Sequence, residues 1–100
     1  MICSNSIKNA DATVPQTLVL DTDTSPYLPN YNPSLLDVSL SATASVDFHL
    51  EYSDDGENWY EAYSGSGTSY HDAWHWGFRY ARLRTDAAAS GTVTLMLSAK

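Results

Sequence analysis

Apolar and polar residues alternate one for one along much of the chain. In Leu35–Ala44 the apolar side is Leu36, Val38, Leu40 and Ala42, and the polar side is Asp37, Ser39, Ser41 and Thr43. Val46–Ser53 sets Val46, Phe48, Leu50 and Tyr52 against Asp47, His49 and Glu51. Phe78–Thr85 sets Ala81 and Leu83 against Tyr80, Arg82 and Arg84, and Thr92–Ala99 sets Val93, Leu95, Leu97 and Ala99 against Thr94, Met96 and Ser98. A period of two marks a strand with one buried and one wet face, because successive side chains leave a pleated strand on opposite sides. Val14–Leu20 is a shorter candidate, with Leu18 and Leu20 opposed to Thr17 and Val19; Pro15 lacks an N–H and confines its start to an edge or to the beginning of a strand. No stretch has the spacing of an amphipathic helix.

Turn chemistry separates these runs. Asp54-Asp55-Gly56 predicts a hairpin, since glycine accepts positive φ and aspartate satisfies nearby backbone donors. Trp59–Tyr63 is then the return strand, with Trp59 packed into the core, and the S-G-S-G-T-S run at Ser64–Ser69 is a flexible connection. The small residues at Ala42–Ser45 permit a bend or a turn, and Asp86–Gly91 is a loop. Asp21–Pro33 is a long loop with prolines at 26, 29 and 33; Tyr27, Leu28 and Tyr31 within it are either stapled to the body or held for a partner. Met1–Ala12 is polar and aperiodic, which predicts an arm that orders on docking. The organisation is therefore an arm over 1–12 and one domain over 13–100, an all-β antiparallel sandwich of six to eight strands in a jelly-roll or Ig-like layout.

Composition narrows the function. One hundred residues make one domain, and twelve aromatic rings supply its core with area. A net charge of −7 opposes binding to nucleic acid or to an anionic membrane. No apolar run is long enough for a transmembrane helix, and Met1–Ala12 has neither the basic nor the apolar region of a signal peptide. Cys3 is the only cysteine, so no intramolecular disulfide forms, and its place in the arm predicts a solvent-facing thiol. Asp54, Asp55 and Glu57 lack a calcium-loop pattern. His71-Asp72-Ala73-Trp74-His75-Trp76 is short of zinc ligands, because His49 is the only other histidine. No serine lies in a nucleophile motif. The expectation is a non-enzyme without metal or cofactor. Tyr70, Trp74 and Trp76 are core if buried, and a protein anchor or sugar platform if exposed. Arg79, Arg82 and Arg84 are expected to pair internally, with Arg82 facing Asp54 or Asp55.

Two motifs carry a resemblance. Tyr52-Ser53-Asp54-Asp55-Gly56-Glu57-Asn58-Trp59 resembles the Y-S-x-D-G-x-x-W hairpin of discoidin-type, galactose-binding-like domains, and Arg79-Tyr80-Ala81-Arg82-Leu83-Arg84 resembles their later R-Y-V-R-L strand. Those domains are longer and usually stapled by cysteines. In size and motif order, including Ala89-Ser90-Gly91-Thr92-Val93-Thr94-Leu95 near the end, the chain is more similar to small bacteriophage virion β-sandwich proteins of the decoration, neck and tail accessory type. That resemblance implies a non-enzymatic virion protein, assembled in the host cytoplasm. Its most specific form is a capsid decoration (cement) protein docked on the major capsid or another virion protein, as a homo-oligomer with a trimer favoured. The alternative is a glycan-binding module on a tail or neck appendage. Tyr27, Leu28, Tyr31, Tyr70, Trp74 and Trp76 are the candidate partner-binding residues; Asp54, Asp55, Gly56, Trp59 and Arg82 are the structural turn and core set.

Overall fold

The computed structural model describes residues 3–23 and 35–100. Its strands are β1 (Cys3–Asp11), β2 (Thr17–Asp21), β3 (Leu35–Ser53), β4 (Tyr60–His75), β5 (Tyr80–Thr85) and β6 (Thr92–Ala99), with no helix among the described residues. All pairings are antiparallel, in the order β1-β6-β3-β5-β2, with β4 on the other side of β3.

The nineteen-residue strand β3 organises the sheet. Its first half pairs with β6, from Leu36 opposite Ala99 to Ala42 opposite Val93. Its second half pairs with β5, from Phe48 opposite Thr85 to Ser53 opposite Tyr80. Strand β4 accompanies both halves. The two alternating runs expected as separate strands are thus one strand, bent at Ala42–Ser45, where the register with β4 shifts between Ser41 and Val46. Small side chains and a register irregularity are what a strand needs to turn a corner without ending. The bend folds the sheet on itself, so the even-numbered side chains of both halves face one interior. Leu36, Leu40, Leu50, Leu83, Leu95 and Leu97 are fully enclosed there, with Val38, Val46, Phe48 and Val93 around them. The all-β antiparallel architecture expected from the alternation is the one observed, in a form nearly closed into a barrel.

Three local expectations are corrected. Cys3–Asp11 is not a free arm. It pairs with β6 from Cys3 opposite Ala99 to Asp11 opposite Thr92, with Ile7 and Ala10 half-buried against the core. Its ladder is interrupted between Ile7 and Ala10, where Asn9 takes a φ of 53° and its N–H donates to Thr94 Oγ1. Ser64–Ser69 is not a loose connection but part of β4, with Gly65 opposite Phe48 and Gly67 opposite Val46. Cys3 is half-buried; its thiol contacts the Asp21 carbonyl oxygen, and burial pushes its pKa up.

The two long margins of the folded sheet differ. At one, β1 and β2 approach each other, and Asn5 Nδ2 donates to the Val19 carbonyl at 3.0 Å. At the other runs β4, with no wholly buried residue along its length.

Candidate interaction surface

Along the β4 margin an aromatic row fills the gap between the two halves of the sheet. Tyr63 lies on one half of β4 and Tyr70 on the other, and the bend between them stacks their rings at 5.0 Å and 14°. Phe48 backs both rings, at 6.2 and 5.0 Å. Trp74 extends the row, 6.0 Å from Tyr63. Its indole N–H donates to the Tyr70 hydroxyl at 2.9 Å, and that hydroxyl donates to Asp72 Oδ2 at 3.3 Å. This chain sets the orientation of both rings. Burial first, then the neighbouring Asp72 charge, raise the Tyr70 pKa, against the lowering effect of the indole donor. Phe48 is buried, Tyr70 and Trp74 are half-buried, and Tyr63 is 40% exposed. The row is a rigid, part-wet aromatic strip with polar tips, suited to contact with another molecule.

The outer face of the β4-β3-β5 half carries an ionic network. Glu51 Oε1 accepts from Arg82 Nε at 2.8 Å and Arg84 Nε at 2.9 Å. Arg84 also reaches Asp86 at 3.2 Å. His49 bridges Glu61 at 2.7 Å and Asp86 at 3.0 Å through its two ring nitrogens. Burial alone would push the Glu51 carboxyl up; the two guanidiniums outweigh it and hold its pKa low. The contacts to Glu61 and then Asp86 raise the His49 pKa. Both imidazole nitrogens are engaged, so the ring ties strands together and offers no free nitrogen to a substrate.

The hairpin between β3 and β4 is built around Asp55. Its carboxylate accepts from the backbone N–H groups of Glu57 and Asn58, from the Asn58 amide and from the Ser53 hydroxyl. These donors, the backbone ones first, hold its pKa far below the ordinary carboxylate range. Gly56 has a φ of 76°, as the turn requires. Asp54 is exposed. The expected core position of Trp59 is corrected: its ring is half-buried on the outer face, with the Arg82 guanidinium 4.3 Å above it. Arg82 accordingly pairs with Glu51, not with Asp54 or Asp55, because Glu51 stands directly opposite it in the β3–β5 register.

Of the candidate partner-binding residues, Tyr70 and Trp74 come together in the aromatic strip. Trp76 does not join it. It lies beyond the end of β4, 6% exposed, edge-on to Tyr52 and Phe78, so its ring is not available to a partner. Its buried indole N–H has no acceptor among the described residues. Tyr27, Leu28 and Tyr31 lie outside the described residues. Tyr63 was missed by sequence reasoning; the signal for it was Gly65 and Gly67, which let β4 turn a corner and bring Tyr63 over Tyr70. Among the described residues no cluster of His, Cys, Asp and Glu is placed to hold a metal.

No protein-family model matches the chain, and no curated protein matches it. Solved structures do match in fold. The PBSX exported protein XepA superimposes with a TM-score of 0.70 at 16% identity, over 97% of this chain and 36% of XepA. PirA superimposes with a TM-score of 0.54 at 13% identity, over 97% of this chain and 93% of PirA. The class shared is an all-β antiparallel fold. The chain spans about a third of the length of XepA.

Proposed function

We propose that the chain is a non-enzymatic bacteriophage structural protein that works by protein–protein contact, most specifically as a capsid decoration protein on a phage shell. The observation that carries this reading is the β4 margin: a long outer strand beside an oriented, part-exposed aromatic strip of Tyr63, Tyr70 and Trp74. Half-exposed aromatic rings in fixed orientation are the usual anchors of protein contacts. The fold likeness to the PBSX exported protein XepA is the comparison that supports this setting. The site of action is then the virion.

The test is biochemical fractionation of particles made by cells carrying the gene. The chain is expected in purified particles. Added to shells that lack it, it should bind to a fixed stoichiometry and raise their temperature of disruption. Absence from particles together with no binding to shells overturns the proposal.

A glycan-binding module is the second reading, favoured by the same strip, since the Trp74–Tyr70–Asp72 chain sets polar groups beside aromatic faces. Glycan-array binding that Trp74→Ala abolishes would select it over decoration.

A further inference from the structure

The open margin has a property that the aromatic strip does not explain. A strand at a sheet edge presents alternate N–H and C=O groups outward, a template for another strand. Such edges are usually shortened, or blunted with lysine or proline. Strand β4 has sixteen residues and contains no Lys, Arg or Pro. Among the described residues it pairs with β3 alone. Its run Ser69–His75 keeps an unbroken register against Ser41–Leu35. Side chains alternate along it: Tyr70, Asp72 and Trp74 on the side of the aromatic strip, and exposed Ser69, His71, Ala73 and His75 on the other.

Charge points to what could lie beside it. The chain carries −7. Four of its five cationic side chains face carboxylates of the same chain: Arg79 with Asp21, Arg82 and Arg84 with Glu51, and Lys100 with Asp37. The fifth, Lys8, lies on β1, across the sheet from β4. The β4 margin carries Asp72 within this run, and Glu61, paired with His49, beyond it, and has no Lys or Arg of its own. A second copy of β4 would bring acid against acid. A basic strand would meet complementary charge.

We infer that the Ser69–His75 edge of β4 takes up an extended segment of a partner protein, bearing Lys or Arg at alternate positions, as an added strand. Backbone hydrogen bonds along the edge supply affinity. Alternate side chains of the segment meet either Asp72 and the Tyr70–Trp74 rings or the His71–His75 face, which supplies selectivity. This deepens the docking role proposed above and rests on it.

The test uses the isotopically labelled full chain and two synthetic seven-residue peptides, one alternating Thr with Lys and one alternating Thr with Glu. In nuclear magnetic resonance titrations, the Lys peptide should shift amides within Ser69–His75 and slow their hydrogen exchange, with the effect weakening as salt is raised. The Glu peptide should do neither. The Ala73 N–H donates to Asp72 Oδ1 at 2.8 Å in the free chain and would exchange that acceptor for the added strand; Ala73→Pro removes this edge N–H and should abolish the shifts. Should that variant fail to fold, Ala73→Lys decides: it stands opposite Asp37, keeps every backbone donor, and should repel the basic strand. Equal response to both peptides, shifts confined to other strands, or an Ala73→Lys variant that binds as before each overturns the inference. So does free protein that self-associates in sedimentation with the same amides already protected, since a second copy then fills the edge. A negative peptide result with the chain still found in particles rejects strand addition and leaves the docking role standing.

Discussion

A β-carbon added at Gly65 would sit 2.8 Å from Phe48 Cζ, well inside contact distance. Phe48 is itself buried and lies tilted against both rings of the Tyr63–Tyr70 stack, so the ring has nowhere to retreat. Gly65→Ala should therefore cost about 1–3 kcal/mol, the usual penalty of overpacking. Gly77, with ordinary φ and open space around it, is the control, and Gly77→Ala should stay within about 0.5 kcal/mol. Paired thermal melts check both; equal midpoints would show that Phe48 does not depend on a bare backbone at 65. His49 makes a second prediction through protonation. Its pKa is raised above the ordinary 6.5 by Glu61 first and Asp86 second. A raised folded pKa means the imidazolium is favoured in the folded state, so this stabilisation is complete below 6.5 and is lost as pH rises through the folded value. Asp86 has its pKa lowered chiefly by His49, so its share is present above 3.8 and is lost as pH falls. The melting temperature should fall as pH is raised from about 6 to about 8, and His49→Gln should flatten that limb. An unchanged slope in the variant would assign the pH response elsewhere.

At the scale of strands, legibility followed the regularity of alternation. Strands β2, β5 and β6 could be read because each keeps one strictly buried face, as in Ala81, Leu83 and Thr85. Strand β1 could not, because the irregularity between Ile7 and Ala10 inserts an odd step, and the half-buried positions fall at 3, 7 and 10 instead of every second residue. Strand β4 was hidden by its glycines and serines. Lying at a margin, it needs no wholly buried side chain, so its pairing with β3 leaves almost no hydrophobic trace. The same reasons divided the site. Tyr70 and Trp74 were visible as unusual composition, whereas Tyr63 meets them only through the bend, and the burial of Trp76 depends on Tyr52 and Phe78 arriving from other elements. If Cys3–Asp11 is a working strand, removing residues 1–11 should uncover the β6 ladder and the Leu95 and Leu97 positions it shields. The truncated chain should melt at least about 4–8 °C lower, the equivalent of about 1 kcal/mol in a domain this size, and self-associate in sedimentation. A dispensable arm would leave both measurements unchanged.

Across the whole molecule, charge acts at two distances with opposite signs. Contact pairs attract: Arg82 to Glu51 at 2.8 Å, Arg84 to Glu51 at 2.9 Å, Arg79 to Asp21 at 3.1 Å and Lys100 to Asp37 at 2.7 Å. Once these cations are matched, the excess of twelve carboxylates over five cations leaves the remainder repelling one another through the molecule. The radius of gyration is 13.5 Å. At an ionic strength of about 0.01 M the screening length is about 30 Å, so the repulsion spans the fold; at about 0.15 M it is about 8 Å, shorter than the molecule but longer than any contact pair. Adding salt over that range should therefore weaken the long-range repulsion more than the short attractions. The exposed pairs have little to lose in any case, since each is worth about 0–1 kcal/mol. Glu51 is only 8% exposed and sits between two guanidiniums, so its pairs are screened least. The melting temperature should rise by a few degrees between low salt and physiological salt, with Glu51→Gln starting lower yet rising in parallel, because the substitution removes a contact and leaves the long-range excess nearly unchanged. A melting temperature that falls with salt would mean that the contact pairs, and not the unmatched carboxylates, dominate the electrostatics of the fold.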